Sequence, residues 1–175
     1  MKKMCGAILG TLFLAAGGRA SATALTFGHW LVATAADGSY TYAATANRQG
    51  EVFGEFCDYK SASCRWLLAV HTPCRFGDVY PVLANSASGA NPIAIFCVGG
   101  IGGRTFGMAL MNRKKLEQSI GNAARIGFAV PLGDGGFVVA RFELKGRVQA
   151  MSFLQKSFFG EIQRRRQARS TALPL

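Results

Sequence analysis

Acidic residues are scarce in this chain: nine aspartates and glutamates stand against twenty lysines and arginines, giving a net charge of +11 over 175 residues. Histidine is scarcer still, with only His29 and His71, so the side chain that most often serves as a general base occurs in two isolated places. Prolines number five against 22 glycines. The turns therefore fall to glycine, which points to a compact fold rich in tight reversals. Past the first sixteen residues no run approaches the roughly 18 consecutive apolar residues of a membrane span. Charged residues make up 17% of the chain and apolar residues 50%, the reverse of the balance that keeps a polypeptide disordered. The length suits one domain, and neither an internal repeat nor an interdomain linker is visible.

What is present begins with Met1-Lys2-Lys3, a short basic start, followed by the apolar run Met4 to Ala16 and the small residues Ala20-Ser21-Ala22. That run is too short to cross a bilayer, and the A-x-A ending is the form a signal peptidase accepts. Residues 1–22 are expected to be a cleaved secretory signal, residues 23–160 one β-rich domain, and residues 161–175 a basic tail. Removing Lys2, Lys3 and Arg19 lowers the formal charge from +11 to +8. The stretch from Glu161 to the end carries four arginines and one glutamate, or +3 of that remainder. The expected location is the bacterial periplasm or the exterior of the cell.

Export also governs the cysteines, because an oxidising compartment turns paired thiols into disulfides. Four remain once Cys5 leaves with the signal: Cys57, Cys64, Cys74 and Cys97. They allow three pairings. The favoured one joins Cys57 with Cys64 across a polar turn and Cys74 with Cys97 from a loop to a later strand.

Most segments are short, β-branched or aromatic, and bounded by glycine or asparagine turns, the pattern of an antiparallel β protein. Strands are expected at Thr26–Ala35, Ser39–Ala46 after the Asp37-Gly38 turn, Gly50–Cys57, Cys64–His71, Val79–Ala84, Ile93–Val98 after the loop Asn85–Pro92, and Arg104–Met111. A short helix capped by Asn112 and closed by Gly121 follows at 112–120. The hairpin Arg125–Pro131 with Gly136–Leu144 turns through Gly133-Asp134-Gly135-Gly136. Past Gly146 the apolar period lengthens to that of a helix, through Val148, Met151, Leu154, Phe158 and Ile162. The fold class is mainly β, an antiparallel sandwich or barrel carrying the short helix and a C-terminal one.

Phe27-Gly28-His29-Trp30-Leu31-Val32 and Phe142-Glu143-Leu144-Lys145-Gly146, the latter leading into a helix, resemble the opening and closing segments of the invasion-associated locus B family. The resemblance implies an exported bacterial β-sandwich protein associated with host-cell invasion. The chain departs from that pattern in having no cysteine close after the tryptophan strand.

Among residues that could carry chemistry, Cys57, Cys64, His71 and Cys74 have the composition of a Cys3His zinc site, but only His71 and Cys74 have the close spacing of such sites. Disulfides are the stronger reading, no metal or cofactor is expected, and His71 with Cys74 as a nucleophilic pair is weaker still. Glu51 and Glu55 could pair as glycosidase carboxylates, although any nine acids in a folded domain offer such a pair by chance. No catalytic residue is assigned. The run Gly99–Gly103 lacks the lysine-serine ending of a phosphate loop and reads as a bulged connection. Arg104 beside it is a candidate anion contact, as are Arg164, Arg165, Arg166 and Arg169, for which a solvated tail is the plainer reading. Tyr40, Tyr42 and Trp66 form a candidate interaction surface, with core packing as the competing role for each and the stronger one for Trp66.

These features together point to an exported, non-enzymatic envelope or secreted interaction protein. Its partner would be a protein or an envelope component, with an anionic surface contacted through the tail. The alternative is a periplasmic hydrolase or carbohydrate-active enzyme using a carboxylate or Cys74.

Overall fold

The computed structural model describes residues 24–132 and 134–171. The expected signal segment therefore lies outside the described residues, as does Gly133 of the expected turn. Ten strands and two helices follow in the order β1 (Leu25–Phe27), β2 (Trp30–Thr34), β3 (Tyr40–Ala46), β4 (Val52–Asp58), β5 (Ser63–Val70), β6 (Val79–Ser86), β7 (Gly89–Gly102), β8 (Thr105–Leu110), α1 (Arg113–Ile120), β9 (Arg125–Pro131), β10 (Phe137–Glu143) and α2 (Arg147–Thr171). All strand pairs are antiparallel, in one sheet ordered β1-β2-β3-β4-β5-β8-β7-β6-β9-β10.

That sheet is open and folded over on itself. Strands β4 and β9 lie five places apart in its order, about 24 Å in a flat sheet. The rings of Phe53 on β4 and Phe128 on β9 nevertheless stand 5.0 Å apart, and Phe53 and Phe142 on β10 stand 5.6 Å apart. Period-two alternation makes this possible. On β4 and β5 the residues Phe53, Cys57, Trp66, Leu68 and Val70 all turn inward and are buried, meeting Ile126, Phe128 and Val130 from β9 across the core. The fold thus has the sandwich character expected of the sequence, without barrel closure.

Several expected boundaries move. The single strand Thr26–Ala35 is instead a hairpin, β1 and β2, because Gly28 at φ +59 makes a two-residue turn with His29. The turn is held from outside: the His29 N–H donates to the Lys145 carbonyl at 3.0 Å. A Cβ on Gly28 would come within 2.5 Å of that same oxygen, and one on Gly146 would overlap the Phe27 carbonyl. The Phe27–Val32 and Phe142–Gly146 segments are therefore packed glycine to glycine. The loop Asn85–Pro92 shrinks to a turn between β6 and β7, and Gly99–Gly102 belongs to β7, whose pairing with β8 shifts register twice there.

Helix α1 starts at the Asn112 side chain, which accepts from the Lys115 N–H at 2.9 Å, and buries Leu116, Ser119 and Ile120. Helix α2 buries Ala150, Met151, Leu154 and Phe158. Val148, expected in that stripe, is 67% exposed, because Ala150 takes the first inward position once the helix begins at Arg147. No helix among the described residues is long and apolar enough to cross a membrane.

Candidate interaction surface

The outward face of β3, β4 and β5 carries the candidate site. Tyr40 and Tyr42 alternate with the buried Thr41, whose hydroxyl donates to the Ala33 carbonyl at 3.0 Å and fixes which face the tyrosines take. Register places Phe56 opposite Tyr42, and Arg65 opposite Phe56. Tyr42 stacks on Phe56 at 5.3 Å, with Tyr40 completing the cluster at 6.0 Å and 6.1 Å. Beside these rings runs a groove of about 590 Å³ lined by Tyr40, Phe56, Asp58, Arg65, Leu67 and Ile101 among others.

The groove is polar toward the β4–β5 turn and apolar away from it. At the turn, the Ser61 N–H and hydroxyl both donate to Asp58 Oδ1, at 2.6 Å and 2.8 Å. These bonds hold the Asp58 carboxyl below its ordinary range and keep it ionised. At the other end Ile101, 56% exposed, lies over Gly107, where a Cβ would meet the Val98 and Ile101 side chains at 2.6 Å and 3.0 Å. Beneath the groove the Cys57–Cys64 bridge joins directly paired residues of β4 and β5. The rings thus stand on a hairpin that is covalently clamped.

Trp66 does not belong to this surface. It points inward, is 3% exposed, stacks on Phe53 at 4.9 Å and meets Trp30 edge-on at 6.2 Å. Its neighbours Arg65 and Leu67 take the outward positions instead, since a strand turns alternate residues to opposite faces. Phe56, Arg65 and Ile101 join the candidate surface only in the structure, as lining of the groove. The cross-strand partnership of Phe56 with Tyr42 follows from the hairpin register, which was the available signal.

The remaining candidates separate. The second bridge, Cys74–Cys97, ties the loop after β5 to β7, and His71 Nε2 lies 2.9 Å from the Gln49 carbonyl oxygen. With all four sulfurs in bridges, no thiolate of this set is available to a metal or as a nucleophile. Glu51 is tied into the β3–β4 turn, accepting from Asn47 Nδ2 at 2.6 Å. Glu55 faces inward with its side chain 1% exposed, its Oε1 2.6 Å from Arg113 Nη1 as an ion pair without hydrogen-bond alignment. Burial pushes the Glu55 carboxyl above its ordinary range against the pull of Arg113.

Arg104 is exposed in the β7–β8 turn. The other four arginines lie on α2, which continues through Thr171. Glu161 holds Arg164 and Arg165, each at 2.7 Å. The Arg165 guanidinium also sits 4.3 Å from the centre of the Tyr59 ring and donates to the Gly38 carbonyl at 3.2 Å. Arg166 flanks a small cleft with Phe158, Phe159 and Ile162.

The class this defines is an antiparallel β protein with two disulfides, the covalent chemistry of an oxidising compartment. One solved structure, invasion associated protein B from Bartonella henselae, is similar at 13% identity, covering 77% of this chain and 96% of that one, with a TM-score of 0.48. The likeness is at the level of the fold. No protein-family model matches the chain, and no curated protein matches it in sequence.

Proposed function

We propose that this chain is an exported bacterial interaction protein that binds its partner, a protein or an envelope component, on the Tyr40–Tyr42–Phe56 face without turning over a substrate. The observation that carries the reading is the aromatic cluster itself, with Tyr40 exposed and Tyr42 and Phe56 half-buried beside a groove on a disulfide-clamped hairpin. Tyrosine and arginine supply much of the binding energy at many protein interfaces, and a rigid support lowers the entropy cost of engaging them. Of the five candidate anion contacts, Arg166, Arg169 and Arg104 are the ones outside the Glu161 ion pairs of Arg164 and Arg165.

The test uses purified sacculi and outer-membrane vesicles as binding probes, with ester and peptidoglycan hydrolysis assayed in parallel. Saturable binding is expected, weakened at least about tenfold by the pair Tyr40→Ser and Phe56→Ser with the melting temperature little changed. Hydrolysis above background, or binding indifferent to the pair, overturns the reading.

A further inference from the structure

The two ends of the sheet are treated unequally. Strand β1 is three residues long and lies against α2, where Phe27 and Phe153 have their rings 5.8 Å apart. Short or covered edges are how proteins prevent strand addition. Strand β10, at the opposite end, has seven residues in unbroken register with β9 and contains neither proline nor bulge. Its first residues expose apolar side chains on both faces, Phe137 at 67% and Val138 at 37%, before Arg141 and Glu143 follow on the outward one.

The hydrogen-bond phase of β10 identifies which groups are open. On either side of it, the Leu132 N–H donates to the Gly136 carbonyl and the Leu144 N–H to the Ala124 carbonyl. Even-numbered residues therefore face β9, and Phe137, Val139, Arg141 and Glu143 turn their N–H and C=O groups to the free edge. The proline of β9 agrees, since Pro131 pairs with Phe137, where β9 needs no donor. Past the strand, the outward Lys145 carbonyl is taken by His29. The open stretch is thus Phe137–Glu143.

We propose that this edge pairs antiparallel with the same edge of a second copy, about a two-fold axis through Val139. In that register Val139 meets the partner's Val139, Val138 meets the partner's Ala140, and Phe137 meets the partner's Arg141. Phe137, Val139 and Arg141 then fall in hydrogen-bonded pairs, and Glu143 lies at the end of the ladder, opposite the partner's Gly135. The charges also fit. Arg141 has no carboxylate partner among the described residues and is brought beside an aromatic ring, a favourable cation–π arrangement. The alternative axis through Ala140 would pair all four outward-bonding residues, but it sets Phe137 against the partner's Glu143, which already pairs with Arg125 in its own chain at 2.7 Å, and it places the two Arg141 side chains diagonally across the seam, where like charges repel. A strand from an unrelated protein could also use the edge, but self-complementarity about Val139 favours a second copy.

Sedimentation equilibrium of the purified oxidised chain tests this, with two variants. The native chain is expected to dimerise reversibly within about 1–100 μM. Val139→Pro removes an N–H that the single chain does not use, a substitution that edge strands tolerate. It should weaken the dimer at least about tenfold while circular dichroism stays native. Val139→Cys should oxidise to a covalent dimer faster than Ser88→Cys in the β6–β7 turn, because a hydrogen-bonded pair holds its Cα atoms about 5.5 Å apart, within disulfide reach. A native chain that stays monomeric throughout overturns the proposal and leaves the edge to another protein's strand. So does a folded V139P variant that dimerises unchanged, or V139C cross-linking no faster than S88C.

Discussion

A carboxylate on the inward face of β4 loses nearly all its hydration, and Glu55 keeps a charge there only through Arg113, which reaches in from the first turn of α1 and also holds Glu117 at 2.7 Å. Burial is the larger influence and raises the Glu55 pKa from its ordinary value of 4.5; Arg113 lowers it, and Glu117 raises it slightly further. The folded protein therefore holds this proton more tightly than the unfolded chain does. Such a group contributes stability that is fully present below the unfolded pKa and is lost as pH rises through the folded one. Glu55→Gln removes the titration. The stability of wild type relative to E55Q, read by urea unfolding at about pH 4 and about pH 7, is expected to fall with increasing pH. A relative stability that rises instead would mean that the attraction of Arg113 outweighs desolvation. Arg113→Ala should cost about 1–3 kcal/mol at neutral pH, because it leaves a buried carboxylate without its partner. Sequence spacing flagged Glu55 as an acid but gave no sign that it faces the core, since only the register with Trp66 reveals that.

At the scale of the element, α2 shows how a basic run becomes structural. Glu161 stands three and four residues before Arg164 and Arg165, the spacing of helical ion pairs, so the helix continues across the expected tail boundary. Arg165 then docks it against two turns at once, through Tyr59 after β4 and Gly38 before β3. Exposed ion pairs and cation–π contacts are each worth up to about 1 kcal/mol. Arg165→Ala is thus expected to lower stability by about 0.5–1.5 kcal/mol in urea unfolding, and Arg166→Ala to leave it within about 0.5 kcal/mol. Equal effects would show that Arg165 is as solvated as its neighbour. The strands with strict alternation, such as β4, β5 and β9, were legible from sequence to within a residue or two, as were the caps of α1. The β1–β2 hairpin was not, because Gly28 turns there against Lys145 and Gly146, more than a hundred residues away. Tyr40 and Tyr42 were legible as surface residues by their period, while Trp66 follows the same rule onto the opposite face.

For the whole molecule, the decisive step is the crossing from β5 to β6, which skips the places of β8 and β7 in the sheet. Residues 71–78 make that crossing, and the strand they pass holds them: Cys74 is bridged to Cys97 on β7, Gly77 donates to the Cys97 carbonyl at 3.0 Å, and Cys97 donates back to Asp78 at 2.9 Å. The other bridge, Cys57–Cys64, closes a hairpin that its own ladder already holds. Sequence separations of 23 and 7 residues make the chain-entropy contributions about 3 and about 2 kcal/mol. The crossing bridge should exceed even that margin, because Cys74→Ser also frees a segment that the sheet order depends on and leaves Cys97 as a fully buried thiol. Urea unfolding of the oxidised protein is therefore expected to rank Cys74→Ser as the more destabilised variant and Cys57→Ser as the less. The reference protein, with both bridges formed, should be four mass units lighter than its reduced form, by one hydrogen per thiol. The reverse ranking would place the structural burden on the β4–β5 hairpin, and the crossing would then be held by its backbone hydrogen bonds without need of the sulfur.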